Sequence, residues 1–247
     1  MAKRRSLARA PIAEAVVDFR ARARRAIEDA KARLAPDLRS RYPQADEIRT
    51  LKAELAFRPG IPPVPRDVDE GLHGYVFKSA DGKDLAQFRV DGFTVNRLHP
   101  YQGGDALLEE TFRLWPLYLE VAAPRDIKRL ALRYINRLED LSPDEFRDLL
   151  VDPPHSPAGS PGSLDSFFTR VVTSDRTAGL TAVTTRKFER LPAGHHVLIL
   201  DIDVSLDGDF RTEVSDLRPA FQKLRDLKNE VFFGTITEAA ATRYEIA

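Results

Sequence analysis

The chain runs through one order of elements twice, and that repetition restricts its fold more than any single motif does. A strand-like segment at residues 12–19 leads into a helical stretch, then strands, then a second helix near residues 107–119. Residues 130–138 open a like series that closes on a helix near residues 217–232. Strands crowded between two helices in each unit favour an antiparallel sheet with helices on one face, the α+β layout. Two β-α-β(3–4)-α units, residues 10–122 and 126–235, are therefore expected to merge into a single domain with one curved sheet, preceded by a short basic arm at residues 1–9.

Periodicity assigns the elements. In residues 12–19 a period of two puts Ala13, Ala15, Val17 and Phe19 on one face and Glu14, Val16, Asp18 and Arg20 on the other. From Arg20 to about Leu38 the spacing turns helical through Ala23, Ile27, Ala30, Leu34 and Leu38, with Arg22, Arg25, Asp29 and Arg33 toward water. Pro36 either kinks that helix or ends it. Residues 47–57 read as a strand stopped by the Pro-rich loop 59–65, and residues 74–78, 85–90 and 93–98 as further strands. Asp91-Gly92 predicts a type I′ hairpin, because Asp-Gly supplies the positive φ such a turn requires. Asp105 is expected to cap the helix through Leu108, Phe112, Trp115 and Leu119, with a kink at Pro116. In the second unit Ser142-Pro-Asp-Glu145 is a capping box, residues 153–163 form a surface loop, and residues 167–173, 180–188 and 196–206 are strands.

Composition excludes whole classes of function. With no cysteine there is no disulfide, thiolate metal site or cysteine nucleophile. No apolar run approaches the roughly 18 residues of a membrane span, and Met1-Ala-Lys-Arg-Arg-Ser leads into no signal-like apolar stretch, so a cytoplasmic location and no membrane contact are expected. Basic and acidic residues balance at 38 each, yet residues 1–60 hold 15 Lys/Arg against 8 Asp/Glu. The basic excess, on Lys3, Arg4, Arg5, Arg22, Arg25 and Arg33, suits a nucleic acid or an acidic partner; a merely solvated helix face is the simpler account.

Three segments carry a resemblance. Ala10-Pro-Ile-Ala-Glu-Ala-Val-Val-Asp-Phe19, Leu130-Ala-Leu-Arg-Tyr-Ile-Asn-Arg-Leu138 and Leu224-Arg-Asp-Leu-Lys-Asn-Glu-Val-Phe-Phe233 are similar to the marker segments of a sporadically distributed family of uncharacterised prokaryotic proteins of about this length. The resemblance implies mobile or defence-type gene neighbourhoods and brings no catalytic residue with it. The element order itself resembles the TATA-box-binding-protein-like folds, a likeness of topology that carries no function.

The chemistry-bearing residues collect on one expected sheet face. Arg133 and Arg137 share a parity in residues 130–138, Asp201 and Asp203 share one in residues 198–204, and Glu14, Asp18 and Arg20 join them if the opening strands are equivalent. These seven side chains line the concave face, either as a binding surface or as cross-strand ion pairs. Asp201 and Asp203 at i and i+2 suit Mg²⁺ only weakly, so no metal site, cofactor or catalytic set is assigned. The resulting expectation is a binding or interaction protein without enzymatic activity, of a defence-type or toxin–antitoxin-type operon, with a protein partner ahead of nucleic acid. The alternatives are a metal-dependent phosphoesterase or nuclease using Glu14, Asp201 and Asp203, and a nucleic-acid binder acting through the basic N-terminal half.

Overall fold

Alternating burial along β1 (Ile12–Arg20) sets the architecture: Ala15, Val17 and Phe19 are fully buried while Glu14, Val16 and Asp18 are only half-buried. The structure is a computed structural model. It describes residues 1–58, 61–101, 103–162, 164–192 and 194–245, with side chains described outside 51–70. β2 (Gln44–Arg58), β3 (Ile61–Lys78), β4 (Asp84–Arg89), β5 (Gly92–Leu98), β6 (Ile127–Leu141), β7 (Phe167–Asp175), β8 (Leu180–Arg190) and β9 (His196–Phe210) join β1 in one sheet. Its order is β2-β3-β4-β5-β1-β6-β9-β8-β7, and every neighbouring pair is antiparallel. Among the described residues five helices complete an α+β fold: α1 (Ala30–Leu38), α2 (Gly104–Ala122), α3 (Phe146–Leu149), α4 (Val214–Thr235) and α5 (Glu238–Thr242).

α2 and α4 cover the same sheet face. Trp115 of α2 stacks on Phe19 with ring centroids 4.5 Å apart, and Phe221 of α4 meets that same Phe19 at 5.2 Å. Phe112 and Phe221 touch at 5.9 Å, and Trp115 Nε1 donates to the Thr212 carbonyl at 2.8 Å. Aromatic pairs of this kind add roughly 0.5–1.5 kcal/mol each beyond their buried area. The core thus runs without a break across the β1–β6 seam.

Several sequence expectations are corrected. The helix expected over 20–38 is confined to Ala30–Leu38, although Ile27, Ala30, Leu34 and Leu38 are all buried as the period requires. The backbone of the preceding residues bonds elsewhere: Ala21 to Asp91, Ala23 to Val90, and Arg24 to the Ala122 carbonyl at the end of α2. Those bonds replace the i→i−4 ladder. The prolines at 62, 63 and 65 do not stop β3, which pairs with β2 from Ile61 onward. β4 reaches β3 only at Gly74–Lys78, so the proline stretch lies on an edge where a missing donor is tolerated.

The β4–β5 hairpin exists, but neither Asp91 nor Gly92 has positive φ, so its turn is not type I′. Gly92 is required for another reason: a Cβ there would lie 2.1 Å from the Phe19 carbonyl oxygen. α2 is capped by Gly103, at φ 106°, rather than by Asp105, and runs unbroken through Pro116. Its buried side follows Leu107, Leu114, Trp115, Tyr118 and Val121 together with Phe112, and leaves Leu108 and Leu119 at the margin. In the expected capping box, Glu145 accepts from the Ser142 backbone N–H at 3.0 Å, but α3 begins only at Phe146. Among the described residues no helix is long and apolar enough to cross a membrane.

Candidate functional site

Two surfaces compete for the role of functional site. The first is the sheet face turned away from the helices, where the alternation rule put the charged residues. Glu14, Asp18, Arg133, Asp201 and Asp203 do share that face, and each is already engaged by a neighbouring side chain. Arg133 grips Asp201 through two nitrogens at 2.9 and 2.6 Å. Asp18 accepts from Arg89 at 3.0 Å and Thr94 at 2.6 Å, and Asn96 donates to Glu14 at 2.6 Å. Arg129 bridges Asp18 at 3.7 Å and Asp203 at 3.4 Å. Burial raises the Asp203 carboxyl above its usual range, against the opposing pull of Arg129 and Arg133.

Arg20 and Arg137 are exposed, and Arg137 pairs with Glu139. Arg129 has the parity of Arg133, so the same alternation points to it. No group of three metal-ligating side chains is found among the described residues.

The second surface is a cleft of about 1150 Å³ on the helical side, bounded by residues 4–10, residues 99–101 and 103–105, β6 and α4. Arg225, Lys228, Asn229 and Phe232 follow i, i+3, i+4, i+7 spacing, so one stripe of α4 lines it. Tyr134 and Asn136, on the buried parity of β6, form its floor. Tyr101 stands edge-on to Tyr134, their hydroxyls 2.9 Å apart. Gly104 lets Tyr101 sit close, since a Cβ there would come within 3.1 Å of its hydroxyl. Five lining side chains, Arg4, Arg5, Arg9, Arg225 and Lys228, are basic, whereas Asp105 is the one acid.

Most of these cations already have partners. Arg225 meets Asp105 at 2.5 Å, Arg4 meets Asp226 at 2.5 Å, and Arg5 pairs with Glu238 at 2.7 Å and with Glu245. Lys228 differs. Its Nζ lies 4.3 Å over the Tyr134 ring and donates to Asn229 Oδ1 at 2.6 Å, and no described carboxylate pairs with it. Burial pushes its amine down to about 8, and Arg225 and Arg4 add to the effect. Burial also drives the Tyr101 and Tyr134 hydroxyls upward, so both stay protonated as donors.

The basic residues singled out in the sequence fall into two separate groups. Lys3, Arg4 and Arg5 belong to a docked segment rather than a free arm: the Ala2 N–H bonds to the Phe233 and Ile236 carbonyls, and the Lys3 N–H to Glu238. Arg25 and Arg33 bind the end of α2, donating to the Glu120 carbonyl at 2.9 Å and its carboxylate at 3.0 Å. Arg22 is exposed in the irregular connection before α1. The cleft was announced in the sequence only by polar interruptions of buried stripes, Asn136 in β6 and Lys228-Asn229 beside Leu224 and Phe232. The chain matches no known protein-family model, and no curated protein is similar to it.

Proposed function

We propose that this chain is a binding protein whose cleft between α4 and the N-terminal segment takes a small anionic ligand, with a phosphate or carboxylate on Lys228 and Arg225 and a flat or apolar part against Tyr101, Tyr134 and Phe232. The observation that carries this reading is Lys228, a cation drawn from water without a carboxylate to balance it. A partly buried charge is costly unless paired, and charge-assisted hydrogen bonds to an anion are among the stronger ones available. The open sheet face supports a ligand less well, because its aspartates are already held by Arg89, Arg129 and Arg133 and Glu14 by Asn96. A protein partner, a defence-type operon and the absence of catalysis stand with the sequence resemblance and the missing motifs.

The same proposal takes the fold as two like units in a TATA-box-binding-protein-like order. Outward from the seam, β1-β5-β4-β3 is matched by β6-β9-β8-β7, with α2 following β5 and α4 following β9 in the chain.

Calorimetric titration with inorganic phosphate, pyrophosphate and citrate tests the ligand reading. Saturable binding is expected, weakened about tenfold or more in Lys228→Met, the loss of one charge-assisted contact. Affinity should also fall as pH rises past about 8, where the free amine gives up its proton. No saturable binding by any of the three anions, or binding indifferent to Lys228→Met, defeats the proposal. An oligonucleotide that binds equally well to the variant would favour the nucleic-acid reading.

A further inference from the structure

β7 ends the sheet on the side opposite β2, so one of its backbone edges has no neighbouring strand among the described residues. Its start is covered, with Phe167 packed against Phe146 at 5.2 Å and Phe188 at 5.8 Å. From Arg170 to Asp175 every residue is exposed. Phe168, Val171 and Val172 are 65%, 49% and 49% exposed, three of the five large apolar side chains that the described residues leave to solvent. The strand pairs with β8 over nine consecutive residues without a bulge.

Soluble proteins protect an edge of this kind with lysine, proline, a bulge or a covering element. Over its outer half β7 has no lysine, proline, bulge or covering element among the described residues, and its two charges, Arg170 and Asp175, flank the exposed Val171 and Val172. The opposite edge is protected: β2 carries Asp46, Glu47 and Arg49 among its described side chains, with Asp46 paired to Lys78 at 2.7 Å. Both ends of the sheet thus carry charge, but among the described residues exposed apolar side chains are concentrated on β7.

We propose that β7 is the seam of a twofold homodimer, pairing antiparallel with β7 of a second copy so that two nine-stranded sheets become one. The argument for a second copy is self-complementarity. Side chains that face each other across a strand pair must share a sheet face, so a symmetric pairing sets residues of equal parity opposite one another. With the axis at Val172, Val172 faces its own copy and Val171 faces Thr173. Arg170 then meets Ser174, Thr169 meets Asp175, and Phe168 meets Arg176 just past the strand.

No like charges oppose in that register, a hydroxyl reaches a carboxylate, and a guanidinium lies over a ring. An axis at Arg170 would instead set two guanidinia face to face. The charge pattern therefore selects a register centred on the apolar part of the strand.

Sedimentation of the full chain up to about 100 μM is expected to give twice the 27.8 kDa chain mass. Val172→Lys, which sets two ammonium groups on the axis, should return the monomer with its far-UV spectrum intact. The chain has no cysteine, so Val172→Cys provides a unique reporter. Opposed residues of a strand pair lie within disulfide reach, and mild oxidation should cross-link two copies at that position alone. A monomer at every concentration overturns the proposal, and so does a dimer that Val172→Cys fails to cross-link.

Discussion

Lys228 and Arg133 show how differently one fold treats two cations. Arg133 has a bidentate carboxylate, Asp201, and its hydrogen bonds to that partner hold its pKa above the ordinary arginine value. Lys228 has a ring face and an amide oxygen, and burial holds it near 8 against an ordinary 10.5. Between those two values the unfolded chain binds more protons than the folded one, so stability should rise with pH from about 8 to 10.5; below 8 both states are protonated and the whole penalty persists. One pKa unit corresponds to about 1.4 kcal/mol, which puts that penalty at roughly 2–3 kcal/mol after allowing for the group's partial exposure. Lys228→Met is therefore expected to be more stable than the parent at pH 7 and to lose this advantage by pH 10. Denaturant unfolding at the two pH values checks it, and parallel stability curves would show that the lysine is not strained. Stability given up at a position that lines a cleft is what a binding site commonly requires.

At the scale of elements, close backbone approach governs the β4–β5 hairpin more than turn chemistry does. Gly92 is held by the Phe19 carbonyl, 2.1 Å from where its Cβ would stand, whereas Gly82 has open space and a φ of +69°. Gly92→Ala should therefore cost several kcal/mol by forcing β5 away from β1, while Gly82→Ala should cost about 1 kcal/mol of backbone strain. Thermal unfolding of the two variants separates the causes, and equal losses would mean that φ alone matters. The same distinction explains what the sequence made legible. Strand faces were readable because alternation is local: Ala15, Val17 and Phe19 are buried as the period predicts, and Glu14, Asp18, Arg133, Asp201 and Asp203 share the opposite face. The start of α1 was not, because Ala21, Ala23 and Arg24 bond to residues distant in the chain. The cleft was least legible, since it needs Tyr101, Tyr134 and Lys228 from three elements that no spacing rule connects.

For the molecule as a whole, the question is whether two similar element series amount to two folding units. β1 and β6 lie side by side with a register running from Ile12–Asn136 to Arg20–Arg129, so the sheet has no gap at its centre. The helices interlock across the same line, through Phe19 and Phe112 against Phe221 and through Trp115 to the Thr212 carbonyl. The N-terminal residues add a third tie, with the Ala2 N–H on the Phe233 and Ile236 carbonyls. Neither half can expose its core while the other stays folded, because Phe19 and Phe221 are each part of the other's packing. A chain of this length often unfolds in stages. This one is expected to unfold in a single transition. Trp115, the single tryptophan, belongs to the first half and gives the test. Its fluorescence and the far-UV circular dichroism should report coincident midpoints in denaturant, and Phe221→Ala, a cavity of roughly 3–5 kcal/mol in the second half, should shift both curves together. A tryptophan transition that stayed in place while the dichroism curve moved would mean that the halves are separate units joined at a seam.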